Sequence, residues 1–330
     1  MMLKMPLFKA LGNALSLEKP RPRWHAHRDY ARKALIIVQC FYVIVLLQFV
    51  DFVSSLQRMA AAPEGFQPLW PVLWVDLVGL EVAAKILIPA MIATGMAAVI
   101  MWHCFWVRLA SSILILQYTA ISNSWGAMNH GYHELFWISV CFIFLPNARN
   151  QKIISSRVAI IQLLTCVSAA MLLILLFYTM SGAYKVIDAL QMLLAGEKGG
   201  FSPHAMADTL AWRLMETKNT PIFADFIIEN PLIGWPMFFW IYYAELVAIV
   251  IFFRPALHRA WGIGLIIFHF GTIVFIEIAF PLHIVFNALL FMMSPYHPGR
   301  VHSKEMVASL PILGIVLRRG LGWHAAPVKT

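Results

Sequence analysis

Charge is scarce in this chain. Only 12% of its 330 residues are Asp, Glu, Lys or Arg, while 61% are hydrophobic. A soluble domain is about a quarter charged, so this composition excludes an ordinary water-soluble fold. Cysteine is scarce too: Cys40, Cys104, Cys141 and Cys166 stand singly in or beside apolar runs. They make no CxxC motif and no disulfide framework, and are expected to fill space as small hydrophobes. Glycine-rich phosphate cradles, nucleophile elbows and HExxH helices are missing, which leaves no motif for nucleotide loops, serine-hydrolase chemistry or zinc peptidases. Internal repeats and low-complexity tracts are also missing. No small-residue cleavage site follows the first long apolar run, which starts near Ala34, so a cleavable signal peptide is not expected.

What the chain does contain is hydrocarbon in long stretches, several near the ~18 to 20 residues that cross a bilayer. Eight spans are expected: 34–53, 82–102, a third ending near 121, a short fourth over 133–145, then 158–182, 236–253, 260–280 and a short eighth over 281–293. The net charge of +9 is gathered in clusters rather than spread over one nucleic-acid-binding face. Eight Lys or Arg fall within 1–33, and others at Arg149, Lys152 and Arg157, at Arg254 and Arg259, and in the tail. Eight crossings with cytoplasmic termini put every cluster on the cytoplasmic side, as the positive-inside rule requires. The predicted class is therefore all-α, a polytopic helical bundle with a basic N-terminal segment (1–33), a membrane domain (34–296) and a cytoplasmic tail (297–330). Leu3, Leu7, Leu11 and Leu15, four residues apart, predict a helix lying on the membrane surface. Residues 183–234, the longest non-spanning segment, are expected outside as two or three short helices.

Polar groups in such a chain require explanation, because each costs free energy beside lipid unless paired. "SNSWGAMNHGYHELFW", residues 122–137, crowds Asn129, His130, His133 and Glu134 between apolar runs. Lys185 follows the fifth span, with Gly182 before it permitting close backbone approach. Two readings of Lys185 stand: a lysine withdrawn from water that serves as a base, or one that snorkels to the headgroups. His130 either relays a proton or satisfies a turn, and Asn129 has an amide to donate to an oxyanion. Glu245 and His269, each mid-span, are expected to pair, as a structural clamp or a catalytic dyad. His130, His133 and Glu134 have partial metal-ligand spacing, but with no third ligand nearby no metal is assigned.

Three elements recur in one order: "SWGAMNHGYHELFW", "GAYK" at 182–185, and "FHFGTIVFIEIAFPLHIVFNALLFMMSP" at 268–295. They resemble the membrane domain of vitamin K-dependent gamma-glutamyl carboxylase and its bacterial relatives, the horizontally transferred transmembrane (HTTM) proteins, over most of residues 30–296. The resemblance implies that Lys185, in the G-x-x-K element, deprotonates a hydroquinone. His130, with Asn129, would hydrogen-bond the quinone oxygen. It implies a quinone co-substrate (vitamin K-like or ubiquinol), molecular oxygen and CO2, with oxidation of the quinol generating a strong base for carboxylation. Trp125, Tyr132, Phe136, Tyr184, His269 and Glu245 would line or support the quinone site, on the non-cytoplasmic face of a bacterial-type plasma membrane. The family's lysine pair is Tyr184-Lys185 here, leaving one amine, and docking of a protein substrate through a large following domain is not expected. The alternative is a non-catalytic membrane subunit that binds quinone or lipid and anchors a partner protein. A transporter using Glu245 and His269 as a proton relay is disfavoured because no inverted halves are visible.

Overall fold

The structure is a computed structural model that describes residues 24–126, 128, 130–217, 221–299 and 301–320. All regular structure among the described residues is helical, with no strand. The amphipathic segment expected over 2–17 lies outside the described residues. Five helices are long and apolar enough to cross a membrane, spanning His27–Ala61, Leu80–Met101, Phe105–Ser122, Arg157–Leu194 and Pro255–Ile276. The other three expected crossings fall on shorter pieces. Helix lengths there are 11 residues at His133–Ile143 and 16 at Pro231–Leu246, and Pro281–Met292 is also short.

The helices form two compact units, with the boundary between Leu173 and Ile174 inside one long helix. The first unit holds residues 26–173 and 280–295. Its helices are α1 (Trp24–Ala61), α2 (Trp74–Val78), α3 (Leu80–Met101), α4 (Phe105–Ser122), α5 (His133–Ile143), α6 (Asn150–Ser155), the start of α7 (Arg157–Leu194), and a later one at Pro281–Asn287. α1 buries Phe41, Val45, Phe49, Phe52 and Leu56, spaced by three and four, and leaves Leu47 and Val50 exposed. Lipid is as apolar as leucine, so close packing rather than transfer from water must hold such helices together. Gly95 of α3 shows how: a Cβ there would stand 3.0 Å from Leu46 of α1.

Helix ends buried away from water leave carbonyls that need donors. Arg108, in the first turn of α4 and only 1% exposed, supplies them. Its Nη1 donates to Trp102 O (3.1 Å), its Nη2 to Leu145 O (2.7 Å) and its Nε to Ile143 O (3.2 Å). Those carbonyls close α3 and α5, so one guanidinium meets the negative ends of two helix dipoles.

The second unit holds residues 174–279 and the chain from Tyr296. It contains the rest of α7, α8 (Ala205–Thr217), α9 (Ala224–Glu229), α10 (Pro231–Leu246), α11 (Ala248–Phe252) and α12 (His258–Ile276). With the first unit's Pro281–Asn287 as α13, it adds α14 (Ser303–Ala308) and α15 (Leu313–Gly320). α12 ends at Glu277, whose φ of 53° is left-handed. The Thr272 hydroxyl secures that reversal by donating to His269 O (2.8 Å) and Ile278 O (2.9 Å). The C-terminal segment is pinned to the unit by Tyr243, whose hydroxyl donates to Pro311 O (2.6 Å), and by Arg254, which donates to Ser309 O.

The helix that holds the fifth expected span, α7, runs on past Gly182 to Leu194, 38 residues in all. Gly182 carries an ordinary helical backbone and allows the close backbone approach expected of it. The four cysteines are free, two of them buried, in keeping with a packing role.

Arg108→Met removes the donors from three helix-end carbonyls. It is expected to cost at least about 3 kcal/mol, at about 1 kcal/mol or more for each unsatisfied group. A lowered midpoint of denaturant unfolding in detergent would register this loss.

Candidate functional site

In the second unit the site begins with spacing on α7. Tyr178, Ser181, Gly182 and Lys185 recur at intervals of three or four, which places them along one helical face. Gly182 has no side chain to hold α10 away. A Cβ at this position would lie 2.8 Å from Glu245 Cβ and the Glu245 carbonyl carbon, closer than packed atoms stand. The backbones therefore approach closely enough for short side chains to meet. Lys185 Nζ donates to Glu245 Oε1 (2.7 Å) and Oε2 (2.5 Å), and Ser181 Oγ donates to Oε2 (3.4 Å). The Glu245 side chain is 4% exposed and that of Lys185 36%, so the carboxylate is held inside and the amine reaches outward.

The same face of α7 joins two further elements. α10 stops at Leu246 and α11 starts at Ala248, and this break frees backbone groups. Ile249 N–H donates to Thr179 Oγ1 at 2.9 Å. His269 of α12 is buried and lies 2.6 Å from the Tyr178 hydroxyl through Nε2. The expected Glu245–His269 pair is thus not formed: Glu245 takes Lys185 and His269 takes Tyr178. Gly182 brings α10 so close to α7 that the Lys185 amine reaches Glu245 directly.

Lys185 also stands on the wall of a cavity of about 590 Å³. The wall is otherwise mainly apolar, including Met206 and Leu210 of α8, Phe238 and Trp240 of α10, and Phe268 and Phe275 of α12. α8 and α9 are held there by a small core of Met206, Leu210 and Ile227, packed against Phe238 and Phe275. Arg213 of α8 donates through Nε to Ile276 O (3.3 Å), at the end of α12. Tyr184 is 74% exposed and is not on the cavity wall.

The histidine cluster belongs to the first unit. His130 and Tyr132 bound a single 3-10 turn that leads into α5. His130 is exposed, and its Nδ1 lies 3.4 Å from Nδ1 of His133. Glu134 is buried, with its Oε1 3.7 Å from Nε2 of His283 on α13. Tyr132 sets its edge against Phe52 and Tyr118, themselves stacked, with centroids 5.1 and 5.3 Å away. Trp125 packs on Phe66, with centroids 4.9 Å apart. Phe136 neighbours Trp137 on α5. Asn129 lies outside the described residues. Among the described residues no three His, Cys, Asp or Glu side chains group as a metal site.

No protein-family model matches this chain, and neither does any curated protein or solved structure. The resemblance to the carboxylase therefore rests on the three sequence elements alone.

Two contributors escaped the sequence reading. Ser181 and Tyr178 look like ordinary residues of an apolar span, although their three- and four-residue spacing from Lys185 marks the same face. Gly182→Ala should push α7 from α10, cost about 1–3 kcal/mol and loosen the Lys185–Glu245 contact. Thermal unfolding in detergent would reveal the loss, while Gly126→Ala, at a site open to solvent but with φ of 80°, would test backbone strain alone.

Proposed function

We propose that this chain is an integral membrane enzyme that binds a reduced quinone in the cavity beside Lys185. When bound, the quinol would supply, with molecular oxygen, the reducing chemistry that generates a strong base, coupled to carboxylation of a substrate by CO2. The observation that carries this reading is the position of Lys185: the amine of the G-x-x-K element is the charged group on a large apolar wall. Such a cavity suits a ligand with an apolar body and few polar atoms. Lys185 would hold the quinol oxygen, and Glu245 would keep the lysine in place. The oxyanion role of His130 and Asn129 comes from the resemblance alone. We read the chain as crossing the plasma membrane eight times with cytoplasmic termini, its active face opposite the basic clusters.

A second reading is favoured by one contact. An amine held on both oxygens of a carboxylate is not a free base. On this reading the chain binds quinone or lipid without turnover and anchors a partner protein in the membrane.

Purified protein in lipid nanodiscs should oxidise reduced naphthoquinone or ubiquinol under oxygen. Lys185→Ala and His130→Ala should each slow this at least about 100-fold, the scale of a lost general base. Rates equal to wild type in both variants would reject the catalytic assignment. Quinone binding without turnover, together with a co-purifying partner, would instead support the second reading.

A further inference from the structure

We infer that the cavity of the second unit accepts an uncharged amphiphile with a hydroxyl or carbonyl head and rejects a carboxylate of the same chain length, and that Glu245 sets this choice. This rests on the preceding reading of the cavity as a ligand site.

Among the described residues on the wall, Lys185 is the charged one. An unpaired lysine there would attract fatty acids and other anionic lipids. Its charge, however, is already met by both oxygens of Glu245, at 2.7 and 2.5 Å. The pair brings no net charge to the wall. An incoming carboxylate would place an uncompensated negative charge against Phe238, Phe268 and Phe275, or else take Lys185 from Glu245. The second course leaves a carboxylate that is 4% exposed with the neutral Ser181 hydroxyl at 3.4 Å. Both courses are unfavourable in an apolar surrounding.

An uncharged head avoids both. An ammonium has three N–H donors, and a hydroxyl or carbonyl oxygen can accept one while the Glu245 contacts stay in place. The 36% exposure of the Lys185 side chain leaves room for that contact. Two wall hydroxyls are already engaged: Thr209 donates to Ala205 O (2.8 Å), and Thr272 to the His269 and Ile278 carbonyls. Recognition of the head thus falls to the neutralised ion pair, and recognition of the body to the aromatic wall.

The test uses two brominated probes of equal chain length, 12-bromododecanol and 12-bromododecanoate, at a pH where the acid is ionised. Full-length protein is held in nanodiscs of uncharged phosphatidylcholine. Quenching of Trp240 on the cavity wall reports occupancy, with Trp240→Phe as background. Wild type should bind the alcohol at least about tenfold more tightly than the carboxylate, the cost of one uncompensated charge. Glu245→Gln should gain about tenfold or more for the carboxylate as Lys185 is released. The double variant K185Q/E245Q should take the alcohol but not the carboxylate. Equal affinity of wild type for both probes would overturn the inference, as would an unchanged preference in Glu245→Gln. If Glu245→Gln does not fold, the wild-type comparison and the double variant decide. Failure of both the alcohol and naphthoquinone to quench wild type would reject the cavity as a ligand site. Naphthoquinone binding together with a preference for the carboxylate would reject only the role of Glu245.

Discussion

The second unit depends on the contact made where Gly182 lets α7 touch the backbone of α10. In a bilayer the helices have no water to escape from, and close approach supplies the packing that holds them. The same approach solves a second problem, because Glu245 is nearly sealed and needs a cation. A residue with any side chain at position 182 would separate the two backbones and the two charges together. Packing and electrostatics therefore reinforce each other at this point, and α7 carries the groups for both. Within two turns it offers Tyr178 to His269, Thr179 to the Ile249 amide, and Ser181 and Lys185 to Glu245.

Interrupted helices recur among the described residues, and several of the interruptions are answered by a side chain. Arg108 meets the carbonyls that close α3 and α5. His258, fully buried, sets Nε2 3.1 Å from Ile251 O and 3.3 Å from Phe252 O, at the end of α11. Thr272 secures the chain beyond α12. The physical demand is the one that restricts membrane proteins to helices and barrels: backbone groups freed in hydrocarbon must find partners within the protein. Short helices such as α11 persist in this environment because their ends are not left bare.

Much of the helical plan was legible in the sequence, since long apolar runs set the positions of α1, α3, α4, α7 and α12. The rule that polar groups beside lipid must be paired also singled out Glu245 and His269 as groups needing partners, while the sequence left Lys185 as a base or a snorkelling amine. It did not reveal which partners. Residue spacing tells which face of its own helix a side chain occupies, but not which neighbouring helix that face meets. The expected Glu245–His269 pair gave way to Lys185 for that reason. Tyr184 illustrates the converse: it adjoins Lys185 in sequence, yet one residue along a helix turns it about 100° away, out to the surface. Nothing in the sequence marks Arg108, because the convergence of two distant helix ends upon it arises only in three dimensions. Asn129 lies outside the described residues, so its role rests on the sequence elements.

The break at Val247 carries a consequence for motion. Thr179 and Lys185 grip α10 and α11 on either side of it, one through an amide and one through a carboxylate. Sliding α7 by a fraction of a turn would uncouple both grips at once and leave a bare N–H and a bare charge in an apolar setting. Small axial shifts of this helix are thus heavily penalised. α8, on the cavity wall, and α9 are held apart from that double anchor, mainly by side-chain packing and the Arg213 contact.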